Sequence, residues 1–330
     1  MKKSIFLTHF LLLTIFISSN IFSQKQILNG KEHNILFSKD LFSVSSAGFL
    51  VADFKKIKND SASIQFNELR VLVGLKYNFL ELKTDVSLKK SEDKMEILSQ
   101  DFVNQIYIQT SFAVELPVSI KIGRFKTAAA LSVPYEYETY TAKGLGVGEP
   151  FFGLYAGGVQ IELQAQKNVK FIFDVTNLAY PIGQKPFYGE GKNTNLQTSG
   201  LLIVNIINYD LTIESSFEYS NERLRWGAGF DLYNSKSGPF FFNGDVFFEE
   251  ALFSYRMATG LKFNNFDWHV QAENGLESST GKRSFITTGV SFNFNVGDLV
   301  NNKLIIDYQT PLGEEKKDWA VFGSLRLTFN

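Results

Sequence analysis

The chain of 330 residues predicts an all-β fold, a transmembrane antiparallel β-barrel of about sixteen strands. Three observations predict it. Apolar and polar side chains alternate with a period of two in segment after segment, down to the last residues, so each segment has one oily and one wet face. The connections between segments alternate short and long, as they do when tight turns lie on one side of a membrane and longer loops on the other. Beyond the first residues no stretch is long and apolar enough to cross a membrane as a helix, so a spanning chain of this kind has to close into a barrel.

The start of the chain stands apart. Lys2 and Lys3 precede an apolar run over Ile5–Ile17, followed by small and polar residues to Gln24. This order reads as a secretory signal peptide cleaved after Ser23, which leaves residues 24–330 as the barrel. The run is shorter than the ~20 residues of a spanning helix.

Leu41–Phe54 is the first, imperfect strand. Leu69, Val71, Val73, Leu75 and Tyr77 then alternate with Arg70, Leu72, Gly74 and Lys76. After a tight turn at Asn78, Leu80, Leu82, Thr84 and Val86 alternate with Glu81, Lys83, Asp85 and Ser87. Ile106–Val114 and Val118–Ile122 follow, then a long connection from Thr127 to Leu154 that is rich in Gly, Pro and aromatics. The alternation resumes at Val159–Gln164 and Val169–Thr176, with Phe171 and Phe173 opposite Lys170 and Asp174. It continues through Thr198–Ile207, Tyr209–Tyr219, Leu224–Tyr233, Phe240–Phe248 and Ala251–Phe263. Asp267–Asn274, Ser284–Phe294, Lys303–Gln309 and Trp319–Asn330 complete it.

Alternation alone also suits a soluble β-sandwich. Two features favour the barrel. No domain boundary interrupts the series, and large aromatics (Tyr77, Tyr209, Tyr219, Phe263, Trp268, Trp319) gather near strand ends, where interfacial girdles lie. The last segment sets Trp319, Val321, Leu325, Leu327 and Phe329 on one face, similar to the aromatic-ended final strand read by barrel-assembly machinery.

Charge and composition narrow the function. Lys and Arg number 33 against 34 Asp and Glu, which gives no reason to expect a nucleic-acid partner. The absence of cysteine removes disulfides, thiolate metal sites, cysteine nucleophiles and a lipidated cysteine. No metal-ligand spacing, Walker loop or Gly-x-Gly-x-x-Gly signature is present, so no cofactor and no metal are expected. Outside the signal peptide the histidines are His33 and His269. His269 falls on the wet face with Asp267 and Glu273, and Ser254 or Ser284 sits on a neighbouring strand, as a barrel hydrolase would require. Such neighbours arise easily in a polar lumen, and the expectation is that the chain is not an enzyme.

The stretch from Val118 to Tyr135 is where the pattern changes, from strict alternation to the longest connection. From Phe66 onward, Phe66–Leu75, Leu82–Val86, Gln105–Ile108 and Ile120–Lys126 appear in an order that resembles the phosphate-selective porin O/P-like family. In that family a Gly-Gln-Phe-Lys-like segment stands where this chain has Gly123, Arg124, Phe125 and Lys126, and Thr127–Ala130 replaces the Pro-Phe that usually follows. The resemblance implies a sixteen-stranded, trimeric pore in the outer membrane of a Gram-negative bacterium, its long third loop folded into the lumen.

Phosphate selectivity would need a basic ladder along the pore wall. The inward positions carry acidic and basic side chains in equal number, so a weakly selective porin-like channel for small polar or ionic solutes is expected instead. Its constriction is placed at Lys121, Arg124 and Lys126 on one side and Tyr135, Glu136 and Glu138 on the other. Arg124 and Lys126 equally suit a second role, snorkelling at the membrane edge. A closed barrel serving as an anchor or adhesin remains the alternative to an open pore.

Overall fold

The computed structural model describes residues 24–28, 31–39, 41–58, 61–89, 103–112, 116–129, 155–177, 196–220, 223–233, 239–249, 252–274, 284–296, 299–312 and 319–329. The expected signal peptide lies outside the described residues, as does all but the root of the connection that follows Lys126.

In lipid, each backbone N–H and C=O needs a partner inside the protein. The chain meets this demand with strands throughout. They are β1 (Gln24–Leu28), β2 (Lys31–Lys39), β3 (Phe42–Ile57), β4 (Ser63–Tyr77), β5 (Leu80–Lys89) and β6 (Val103–Phe112). Then come β7 (Val118–Lys126), β8 (Tyr155–Gln166), β9 (Val169–Asn177), β10 (Leu196–Ile206), β11 (Leu211–Ser220) and β12 (Arg223–Tyr233). The last six are β13 (Phe240–Glu249), β14 (Leu252–Phe263), β15 (Phe266–Asn274), β16 (Ser284–Val296), β17 (Leu299–Leu312) and β18 (Ala320–Phe329). From β3 onward each strand pairs antiparallel with its predecessor, and β18 pairs back onto β3 from Ala320↔Ile57 to Phe329↔Gly48. The sixteen strands β3–β18 therefore close a barrel, and they match the sixteen expected segments in order.

The β1–β2 hairpin is additional to that expectation. β2 pairs with Phe42–Ser46 of β3, the part of β3 that β18 does not reach. An edge left open at the seam is thus covered. At the same seam the Lys58 amide donates to the Trp319 carbonyl at 3.1 Å, and on the opposite flank of β18 the side-chain oxygen of Asn302 in β17 accepts a bond from the Thr328 amide at 2.9 Å.

Tight turns lie at one end of the barrel. Asn78, Asp210 and Asn264 have φ of 53°, 47° and 43°, the left-handed region that Asn and Asp tolerate and that short hairpins require. The Asn78 amide donates to the Leu41 carbonyl at 2.9 Å, and the Asn293 amide to the Asn265 carbonyl at 2.7 Å. The turns are tied to neighbouring strands in this way.

The two faces separate as the alternation requires. Ile108, Ile122, Phe173 and Ile306 are exposed on the outer surface, while Tyr107, Asp174 and Asp307, next to three of them in the chain, are buried. Outer aromatics form contacts along the wall, with Trp226–Phe248 and Phe248–Phe253 ring centroids both 5.0 Å apart, in the range of favourable aromatic pairs. The division is not absolute. Phe125, Phe241, Phe247, Phe285 and Phe322 are buried on the inner parity. Gly260 makes room for one of them, because a Cβ there would meet the Phe241 ring at 2.7 Å.

A lysine in place of Ile306, near the middle of β17 on the outer face, should destabilise the folded barrel by about 2–4 kcal/mol, read from denaturant titrations in lipid vesicles. An unchanged midpoint would mean that Ile306 does not face hydrocarbon.

Candidate functional site

The inner wall is built from charged side chains that meet across neighbouring strands. Arg70 of β4 lies one diagonal step from Asp85 of β5. Its Nε donates to Asp85 Oδ1 at 2.6 Å and its Nη2 to Oδ2, a two-pronged pair. Nη2 also donates to the Tyr155 hydroxyl at 2.9 Å, and Gln105 Nε2 donates to Asp85 at 3.3 Å. Both members of the pair are buried, so each depends on the other to offset its desolvation.

Nearer the tight turns, Glu162 of β8 is held between two lysines. Lys121 of β7 bonds to it directly and to Gln160 Oε1 at 3.0 Å, while Lys170 of β9 reaches its other oxygen at 3.0 Å. The Lys121 ammonium also stands 5.5 Å from the centre of the Tyr107 ring, within cation–π range. Glu81 and Lys83 of β5 pair at 3.3 Å.

On the other arc the pairs are Arg225–Glu218 at 3.3 Å and Arg256–Asp245 at 2.5 Å. His269 of β15 reaches Asp307 of β17, with Nε2 2.9 Å from Oδ1, across the intervening strand. This contact needs a gap in that strand, and Gly289 of β16 supplies it. Gly289 is in register with both residues, and a Cβ there would lie 2.9 Å from Asp307 Cγ. Ser291 donates to Asp267 at 3.0 Å, while Gln271 and Gln309 donate to Glu273 at 2.6 and 3.3 Å.

Exposure divides the bore. Around β6–β12 the inward residues nearest the tight turns are open to solvent, among them Ser111, Gln166, Asn205 and Asp231. Toward the other end the wall is sealed, with Asp174 at 2%, Glu214 at 1% and Glu218 at 1% exposure. On β15–β17 the sealing extends down to Asp267, beside a tight turn.

Of the residues expected at a constriction, Lys121 faces inward within the mixed-charge patch. Arg124 and Lys126 stand at alternate positions of β7, and Tyr155, the register partner of Lys126, is the residue whose hydroxyl meets Arg70. The two cations follow Ile120 and Ile122 in the alternation and flank Phe125, which is the buried, inward residue of the three. Both are half-buried. Tyr135, Glu136 and Glu138 lie outside the described residues. What the structure does show after β7 is an inward turn: Thr127, Ala128 and Ala129 are buried, and Ala128 and Ala129 pack with Ile172, Leu201 and Phe247. The Ala128 amide donates to Asp174 at 2.5 Å. Sequence reading placed Asp174 inward but did not identify this role. Among the described residues, no group of three His, Asp or Glu side chains is arranged to hold a metal ion.

No known family's sequence profile and no curated protein sequence matches the chain. Solved structures do. OmpF of Salmonella typhi, in complex with daunomycin, superposes with a TM-score of 0.64 over 93% of this chain and 100% of its own, at 10% identity. A loop-deletion variant of OmpT, an outer-membrane protein of Vibrio cholerae, gives 0.59 over 88% and 100%, at 13% identity. A variant of the Rh. blastica porin gives 0.56 over 87% and 100%, at 8% identity. At such identities the likeness establishes the fold, an outer-membrane-type barrel, and does not extend to the phosphate-selective O/P family. It also corrects one expectation. A scaffold shared by OmpT barrels and porins does not set the chain apart from enzymes, so the exclusion of catalysis does not stand.

Asp85→Ala should strip the buried Arg70 of its partner and lower barrel stability by about 3–5 kcal/mol. Pairing it with Arg70→Met should recover most of the loss. Denaturant titration of the two variants checks this, and equal losses in both would show that the pair is not mutually dependent.

Proposed function

We propose that the protein is an outer-membrane channel for passive diffusion of small polar or ionic solutes, with weak selectivity between anions and cations. One observation carries this reading. The inner wall toward the tight turns carries a mixed-charge surface, in which Lys121 and Lys170 share Glu162 and Lys83 pairs with Glu81 at close range, while the outer face of the same strands is apolar. A wall of that kind keeps a bore hydrated without a net field of one sign. The inward turn at Thr127–Ala129 supports a bore narrower than the barrel that encloses it.

The same proposal includes export by a leader ending at Ser23, delivery to the outer membrane, insertion by machinery that reads β18, and association as a homotrimer. A second reading, a closed barrel acting as an anchor or adhesin, has an observation of its own. The inner wall is sealed over much of its length, and five inward phenyl rings are buried.

Planar-bilayer recordings and liposome swelling with sugars of graded size separate the two. The channel reading expects stable conductance with a reversal potential near zero in a salt gradient, and entry of small sugars only. Strong anion selectivity would overturn weak selectivity, and no conductance with no swelling would favour the closed barrel.

A further inference from the structure

We infer that Asp174 of β9 is the positioning residue that turns the chain into the bore at the end of β7, and so helps set how wide the channel is. The inference rests on the channel reading above and deepens it.

Three donors from separate parts of the chain converge on this one carboxylate. The Ala128 amide donates to Oδ2 at 2.5 Å, the Ser199 hydroxyl of β10 donates to Oδ1, and Gln160 Nε2 of β8 donates to Oδ2 at 3.3 Å. The same Gln160 nitrogen donates to the Lys126 carbonyl at 3.0 Å. The last residue of β7 and the second residue beyond it are thus tied to one point on the wall. An amide N–H donates only, and here the hydroxyl and the carboxamide NH2 also donate. The position therefore calls for a side chain that offers acceptors alone, which a carboxylate does. An asparagine would turn an NH2 group toward one set of these donors.

Apolar packing acts in the same direction. Ala128 and Ala129 share a buried cluster with Ile172 of β9, Leu201 of β10 and Phe247 of β13. A chain that leaves the wall at β7 and reaches a cluster including β13 heads toward the barrel axis and not along the rim. The small side chains of Ala128 and Ala129 allow that close approach. Asp174 is 2% exposed, and these bonds satisfy its oxygens where water does not.

The test uses the full chain folded in vesicles, with hydrogen exchange followed across Ala128–Ala129 and conductance recorded in bilayers. Asp174→Asn is expected to lose protection of these amides, raise the single-channel conductance and shift the swelling cut-off to larger sugars. Its heat-shifted gel band, the sign of a closed barrel, should persist. Ala128→Pro deletes the donated N–H from the loop side and leaves every wall residue in place. It should give the same conductance change, and it keeps the test decisive if the wall variant does not fold. Unchanged protection in Asp174→Asn would overturn the anchoring. Lost protection with unchanged conductance would overturn the link to bore width. A wild-type chain that does not conduct would instead overturn the channel reading, while exchange still decides the role of Asp174.

Discussion

The structure depends on one constraint: hydrocarbon offers no hydrogen bonds, so the sheet has to pair every strand on both sides. Fifteen of the sixteen junctions in the barrel follow automatically from hairpins between successive strands. The sixteenth joins β18 to β3 across almost the whole sequence, and extra devices gather there. β2 covers the part of β3 beyond the reach of β18, and Lys58 bonds to the carbonyl of Trp319. A single open edge would expose unpaired backbone to lipid, so these contacts protect the element on which closure rests.

Closure then fixes the interior. Once one face of each strand meets lipid, most charges in the barrel wall fall on the other, and a bore this rich in carboxylates and cations has to pair them. Pairing reaches across one strand junction for Arg70–Asp85 and Arg256–Asp245, and across two for His269–Asp307. The longer reach works because Gly289 leaves a notch between the partners. Asp174 follows another logic, since hydrogen-bond donors gather around it and two of them belong to the loop root and the strand beneath it. Sealed carboxylates are therefore used both to brace the wall and to hold what enters from it.

Much of this was legible in the chain. Strands were, because a period of two survives in the outer residues of nearly every segment, and Asn78 and Asn264 marked turns by residue type. The β1–β2 hairpin was missed although Asn29 and Gly30, a common hairpin pair, sit between its strands in the sequence. Arg124 and Lys126 were assigned to the bore as cations at the root of the long connection, with snorkelling at the membrane edge as an equal second role, and the alternation from Val118 sets them at the positions that alternate with those of Lys121 and Phe125. Individual pairs were beyond reach for a different reason. Which inward acid meets which inward base depends on strand stagger and on gaps such as Gly289, and a single strand's pattern carries neither.

The central claim is that neighbouring residues of one strand face lipid and bore in turn. The chain contains no cysteine, so single cysteines can be introduced along β17 from Leu304 to Gln309, labelled with a fluorophore before folding and placed in vesicles with quenchers on the lipid chains. The account predicts strong quenching at positions 304, 306 and 308 and little at 305, 307 and 309. Equal quenching at all six positions, or none at any, would contradict it.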